Sequence, residues 1–87
     1  MVIKVITKKD CPKCPLAKEL GNKLKADNIA AVEYYDTETA DGLAEAAFHN
    51  IMSLPAIIVE NNEGDVIAKW SGNVPKKEEV LRELPRA

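Results

Sequence analysis

A chain of 87 residues, 46% apolar and 30% charged, is expected to form one soluble domain over 1–87, too apolar for a disordered segment and large enough to bury a core without a structural staple. No apolar run approaches the ~20 residues of a membrane helix, and the N-terminal MVIKVITKK, broken by Lys4, lacks the features of a secretion signal, so a cytoplasmic protein is expected. The net charge of −2 hides seven lysines against two acids in residues 1–25, and five basic against twelve acidic side chains in 26–87; the basic stretch has no aromatic interleaving, which argues against a nucleic-acid surface.

Val2-Ile3-Lys4-Val5-Ile6-Thr7 is short, β-branched and apolar, and reads as a strand buried on both faces. A helix follows, with Leu16, Leu20 and Leu24 as its apolar stripe, Gly21 allowing close packing and Asn28 as a left-handed cap. Ala31–Asp36 reads as a second strand. Thr39 is placed to cap a helix over about 40–50, with Leu43, Ala47 and Ile51 expected on its inner face. Ile57-Ile58-Val59 and Val66–Trp70 are two more strands, joined as a hairpin by the turn signal Asn61–Asp65, and Gly72 ends the second. Pro75 suits the first position of a last helix carrying Val80, Leu81 and Leu84. The order β-α-β-α-β-β-α opens with a right-handed βαβ unit and closes with a hairpin. It predicts an α/β fold with a four-stranded mixed sheet and helices on both faces.

Both cysteines sit in Cys11-Pro12-Lys13-Cys14, directly after the first strand and at the start of the first helix. A disulfide between them closes too small a loop to act as a framework, so the pair points to redox or metal chemistry. A helix N-terminus presents free N–H groups and the positive end of the dipole, and so favours thiolate. Cys11 is therefore expected to be an exposed nucleophile with a depressed pKa, and Cys14, one turn further in, the less exposed resolving thiol. Lys13, Lys8 and Lys9 add positive charge nearby, and Asp10 opposes it. Pro12 is expected to pre-set the first helical turn, with Pro15 stiffening the segment after the pair. The metal alternative lacks ligands. Structural zinc takes four, mostly Cys and His, whereas this chain offers two cysteines and a lone His49, which reads as a surface or helix-end residue. No metal and no cofactor is expected. Trp70 reads as packed at the end of its strand, with partner contact as the other role. Pro55 suits a strand start, in either peptide isomer.

Three segments resemble a known family. Ile6-Thr7-Lys8-Lys9-Asp10-Cys11-Pro12-Lys13-Cys14 resembles the opening of glutaredoxins, a strand ending in Thr-Lys, two residues, then Cys-Pro-x-Cys. Ser53-Leu54-Pro55-Ala56-Ile57 resembles the cis-proline segment of the thioredoxin/glutaredoxin superfamily. Trp70-Ser71-Gly72-Asn73-Val74-Pro75 resembles the tail of NrdH-redoxins, which take electrons from a thioredoxin reductase and pass them to ribonucleotide reductase. The resemblance implies a thioredoxin fold and a dithiol–disulfide oxidoreductase with Cys11 as nucleophile and Cys14 as resolving thiol. It makes Leu54 and cis Pro55 the substrate-binding turn, with Pro12, Lys13 and Lys8 as further substrate contacts. The implied partners are protein disulfides, ribonucleotide reductase among them, and a flavin-dependent disulfide reductase, met by a monomer that binds neither nucleic acid nor membrane. The alternative is a glutathione-dependent glutaredoxin. Lys8 fits it, but the Gly-Gly-acid motif for glutathione is absent near Gly72, and Asn73-Val74 stand where NrdH-redoxins carry Phe-Arg. From another class comes a non-catalytic zinc- or partner-binding module.

Overall fold

The computed structural model describes residues 1–84, in which the β-branched run at the N-terminus forms β1 (Val2–Thr7). Then come α1 (Cys14–Ala26), β2 (Ala31–Asp36), α2 (Ala40–Phe48), β3 (Ala56–Glu60), β4 (Val66–Ser71) and α3 (Lys77–Glu83), the expected order of elements. The strands form one sheet in the order β2-β1-β3-β4. β1 and β2 are parallel across the α1 crossover, while β1–β3 and β3–β4 are antiparallel. β1 and β3 are the two inner strands, which is why their sequences are nearly continuous apolar runs. Strand alternation sorts the side chains between the two faces. Ile3, Val5, Ile57 and Val59 pack with Ala17, Leu20 and Leu24 of α1 and Val80 of α3, and Ile6, Ala56 and Ile58 pack with Ala46 of α2.

Local signals act where they stand in the sequence. Asn28 follows α1 in the left-handed region at φ 56°, and Ile29 N–H returns to the Leu24 carbonyl at 3.2 Å. Gly21 lets α1 lie close to the sheet, since a Cβ there would stand 3.0 Å from Val5 Cγ2 and 3.1 Å from the Tyr34 ring. Thr39 Oγ1 caps α2 by accepting from Gly42 N–H at 3.0 Å. Asn61 Oδ1 accepts from Glu63 and Asp65 N–H at 3.0 and 2.9 Å and shapes the β3–β4 turn.

Four expectations are corrected. Leu16 is 56% exposed, and Ala17 takes its place in the core. Each step of four residues turns about 40° beyond a full helical turn, so a Leu16-Leu20-Leu24 stripe drifts off the contact line. Leu43 is 61% exposed and Ala47 is exposed too, while Gly42 and Ala46 face inward. The inner side of α2 is set by Gly42, where a Cβ would come within 1.8 Å of the Asp36 carbonyl oxygen, so only glycine lets the helix approach the end of β2 this closely. Ile51, beyond the helix, does pack on the α2-side core. Pro75 is buried ahead of α3 rather than at its first position; Lys76 is the N-cap, and its N–H donates to Glu79 Oε1 at 3.3 Å. Leu81 is 39% exposed, and Val80 alone of that helix is buried.

Candidate functional site

Four chain segments meet at one end of the sheet. Thr7 ends β1 opposite Asp36 of β2, and Thr37 N–H donates to the Thr7 carbonyl at 2.9 Å. The register that pairs Ile6 with Ala56 and Ala56 with Ser71 runs on to Pro55 and Gly72, where Gly72 N–H donates to the Pro55 carbonyl at 3.0 Å. The loop 8–13 leaves β1 from this end, the carboxyl end of the parallel pair, where α/β sheets open their ligand crevices. Asp10, in the left-handed region at φ 61°, turns the loop toward α1.

Cys11 and Cys14 are joined by a disulfide with Cα atoms 5.3 Å apart. Cys14 is the first residue of α1, and its N–H donates to the Cys11 carbonyl at 3.3 Å. Cys11 therefore lies in the turn before the helix. Pro15, not Pro12, occupies the first helical turn, and Pro12 stands exposed between the cysteines. Lys13 is the N-cap but makes no side-chain cap bond, and the first turn holds no acidic residue. The positive end of α1 thus has no side-chain cap bond from Lys13 and no carboxylate in its first turn, and Asp10, in the loop before Cys11, is the acidic residue next to it in sequence. Cys11 is 9% exposed and Cys14 3%. The ranking is as expected, but in the disulfide form Cys11 shows only an edge rather than an open face. Lys8, Lys9, Asp10 and Lys13 are exposed around it.

The Leu54–Pro55 peptide bond is cis; Pro55 is buried and Leu54 half-buried. Sequence reasoning missed what holds this segment. Ser71 Oγ donates to the Ser53 carbonyl at 2.9 Å, and a Cβ on Gly72, itself at φ 81°, would press to 3.0 Å from Ser53 Cβ. The Ser-Gly of the Trp-Ser-Gly segment thus ties the end of β4 to the loop before β3. Trp70 packs partly buried against the core on the α1 side.

A second titratable cluster lies on the α2 face. Lys4 Nζ sits 3.0 Å from Glu45 Oε1 and 3.3 Å from Glu60 Oε2. His49 Nε2 stands 3.3 Å from Glu45 Oε2 and 3.5 Å from Glu60 Oε2, buried and without a hydrogen bond of good geometry. Burial alone pulls the Lys4 ammonium down, but hydrogen bonds and charge from Glu45 and Glu60 outweigh it and the pKa is raised. The hydrogen bond to Glu33, then burial and the Glu33 and Glu45 charges, push the Tyr35 phenol up to about 12. Burial alone raises Tyr34. His49 does cap the end of α2, as expected, but it is 6% exposed and so is no surface residue. The signal for this cluster was Lys4 itself, a cation inside an otherwise apolar inner strand that must find carboxylates.

Among the described residues no group of three or more His, Cys, Asp or Glu is placed to hold a metal ion. No helix among them is long and apolar enough to cross a membrane.

Comparison with known proteins fits this geometry. A family model described as the thioredoxin domain matches residues 1–84, and the chain belongs to that family. Thioredoxin 1 from the thermophilic eubacterium Thermosipho africanus superposes with a TM-score of 0.77 at 17% identity, over 95% of this chain and 89% of its own. A thioredoxin from Thermus thermophilus gives 0.62 at 20% identity, over 94% and 68%. A crystallised thioredoxin-like protein gives 0.56 at 26% identity, over 94% and 99%. No curated protein matches the chain. The fold is the thioredoxin fold, an α/β architecture with a four-stranded mixed sheet and three helices.

Proposed function

We propose that this thioredoxin-family chain is a small thiol–disulfide oxidoreductase that reduces protein disulfides through Cys11 and Cys14. The observation that carries the reading is the disulfide-forming pair at the N-terminus of α1, at the same sheet end as Pro55. In the reduced protein the Cys11 thiolate attacks one sulfur of a substrate disulfide. That bond breaks, its other sulfur leaves as a thiolate that takes up a proton, and a mixed disulfide joins Cys11 to the substrate. Cys14, having lost its proton, attacks the Cys11 sulfur, releases the substrate as its second thiol and restores the Cys11–Cys14 disulfide. Two electrons have then passed to the substrate. The N-terminal end of α1, with no acidic residue in its first turn, and the Lys13 charge favour the attacking thiolate. Leu54 and Pro55 border the substrate strand, and the exposed Pro12, Lys13 and Lys8 contact it around the pair.

Recharging needs two electrons and two protons from outside the chain. We assign that role to a flavin-dependent disulfide reductase of the thioredoxin reductase kind rather than to glutathione. The support is the Trp70-Ser71-Gly72 segment, which resembles NrdH-redoxins, and the lack near Gly72 of the double glycine and acidic residue that would receive glutathione. Ribonucleotide reductase is then one candidate among its protein substrates, and a reducing cytoplasm the compartment in which the dithiol works.

Two measurements test this. Alkylation of the reduced protein near neutral pH is expected to label Cys11 much faster than Cys14, and Lys13→Glu is expected to slow it; faster labelling of Cys14 reverses the roles. The oxidised protein is expected to turn over with NADPH and thioredoxin reductase and poorly with millimolar glutathione and glutathione reductase. The opposite pattern makes it a glutaredoxin.

A further inference from the structure

We propose that the outer face of α2 is a docking surface for a basic, amphipathic helix of a partner protein, separate from the cysteine pair. Three observations meet there. First, α2 turns apolar side chains to solvent: Leu43 is 61% and Phe48 79% exposed, and Ala44 and Ala47 lie exposed between them. Leu43 with Ala47 and Ala44 with Phe48 are spaced by four, so they form two adjoining rows along one side of the helix. The Phe48 ring lies edge-on to the His49 ring at 5.0 Å and leaves most of its surface open to a partner.

Second, a groove of about 650 Å³ runs beside these rows. Asp41, Ala44 and Phe48 of α2 form one wall, with Tyr35, Glu60 and Gly64 among the rest of its lining. Its floor holds Lys4 with Glu45 and Glu60, a set already paired. Asp41 makes no ion pair among the described residues and is exposed at its mouth. An aliphatic stem with a cationic tip suits such a groove, because its methylenes lie along Ala44 and Phe48 and its charge reaches Asp41.

Third, the charge around the face is mostly negative, its neighbouring cations being Lys4, already paired with Glu45 and Glu60, and Lys69, whose Nζ donates to the His49 carbonyl at 3.1 Å. Residues 26–68 hold nine acidic side chains and no lysine or arginine. Glu38 and Asp41 stand at the start of α2, and Glu63 and Asp65 flank Gly64 on the far side of the groove, all four exposed. An apolar strip rimmed by carboxylates attracts a cationic amphipathic helix and repels anionic lipid and nucleic acid.

The probe is a synthetic helical peptide of leucine and lysine, with a twin carrying glutamate at each lysine, titrated into the oxidised protein and followed by amide NMR. The lysine peptide is expected to shift the amides of Leu43, Ala44, Ala47 and Phe48, with affinity that falls as salt rises, and the glutamate twin to leave them in place. Phe48→Ala and, separately, Asp41→Lys are each expected to weaken binding by about tenfold. Both positions are exposed, so the variants should fold, and an unchanged spectrum elsewhere checks that they do. Equal binding of the two peptides, shifts centred on Cys11 and Cys14, or unchanged affinity of Phe48→Ala overturns the proposal. Shifts of the same amides with protein concentration alone would give the face to a second copy, and binding to anionic phosphatidylglycerol vesicles would give it to a membrane; either also overturns it. None of these outcomes bears on the dithiol chemistry, which is measured apart.

Discussion

On the face covered by α1 and α3, Ile3, Val5, Ile57 and Val59 meet Ala17, Leu20, Leu24 and Val80 in an apolar layer. On the face under α2, four buried apolar residues (Ile6, Ala46, Ala56 and Ile58) share the space with Lys4, Glu45, Glu60 and His49. The first layer is held by area removed from water, and that term is indifferent to pH and weakly affected by dilute salt. The second is held in good part by the Lys4 ammonium, 3.0 Å from Glu45 and 3.3 Å from Glu60, whose worth depends on each charge keeping its partner. α1, which carries Cys14 as its first residue, stands on the first kind of layer, and α2, with its apolar side outward, stands on the second.

The sharpest separation of the two layers comes from emptying the first. Leu24 is fully buried, and Leu24→Ala removes buried methyl groups that neighbouring side chains cannot replace. A loss of about 3 kcal/mol is expected, read as a lower urea midpoint and nearly the same at pH 7 and pH 10. A loss that changed strongly over that range would mean that the α1 layer shares the electrostatics of the other face.

The second layer should respond differently. Lys4→Met keeps the stem but strips Glu45 and Glu60 of the ammonium between them. These side chains are 12–23% exposed, so water screens part of the penalty, and about 2 kcal/mol is expected rather than the full cost of a deeply buried pair. Adding Glu60→Met to Lys4→Met is expected to recover part of that loss, because it removes an uncompensated charge. If the double variant is worse than the single one by the full cost of a second substitution, Lys4 and Glu60 are not coupled.

Much of this contrast was legible and part of it was not, for physical reasons. Strand runs and turn residues announce themselves locally, and the expected order of elements stands in the structure. The Cys11–Cys14 motif after a strand located its sheet end in the same way. The inner face of α2 was not legible, because Ala40–Phe48 is apolar nearly all round and its period selects no side; Gly42 decides it through the Asp36 carbonyl. The Lys4 cluster was hidden because Lys4 and Glu45 are 41 residues apart, and pairing across that distance appears only once the sheet is built. The Ser71 and Gly72 contacts with Ser53 were hidden likewise.

A smaller effect should appear in alkali, and on the α2 side. Lys4 has a raised pKa in the fold, so its stabilising contribution is whole below the ordinary value of 10.5 and is lost as pH rises through the folded value. Tyr35 moves from 10.0 to about 12, so between those values the unfolded phenol has ionised while the native one keeps its proton. The native state then binds more protons, and stability falls as pH rises. Both groups have the same sign, so the urea midpoint is expected to drop from about pH 10 to about pH 12. The drop should be shallower in Tyr35→Phe and shallower again when Lys4→Met is added. An unchanged slope in both variants would remove these two groups from the account.

The smallest expected effect tests the phase of the two helices. Leu16 and Leu43 both sit where an apolar stripe was expected to face inward, and they are 56% and 61% exposed. A side chain already in water loses little when its tip becomes polar, because the transfer term scales with area actually removed from solvent. Leu16→Gln and Leu43→Gln are each expected to change stability by no more than about 0.5 kcal/mol, the range of an ordinary surface substitution. Leu20→Gln, one step along the α1 stripe and 6% exposed, should cost several times more, since it buries an amide among Ile3, Val5 and Val59. The comparison is internal to one assay, the urea midpoint of three leucine-to-glutamine variants. If Leu43→Gln proves as costly as Leu20→Gln, then α2 is rotated with Leu43 toward the sheet, and Gly42 and the Asp36 carbonyl do not set its inner face.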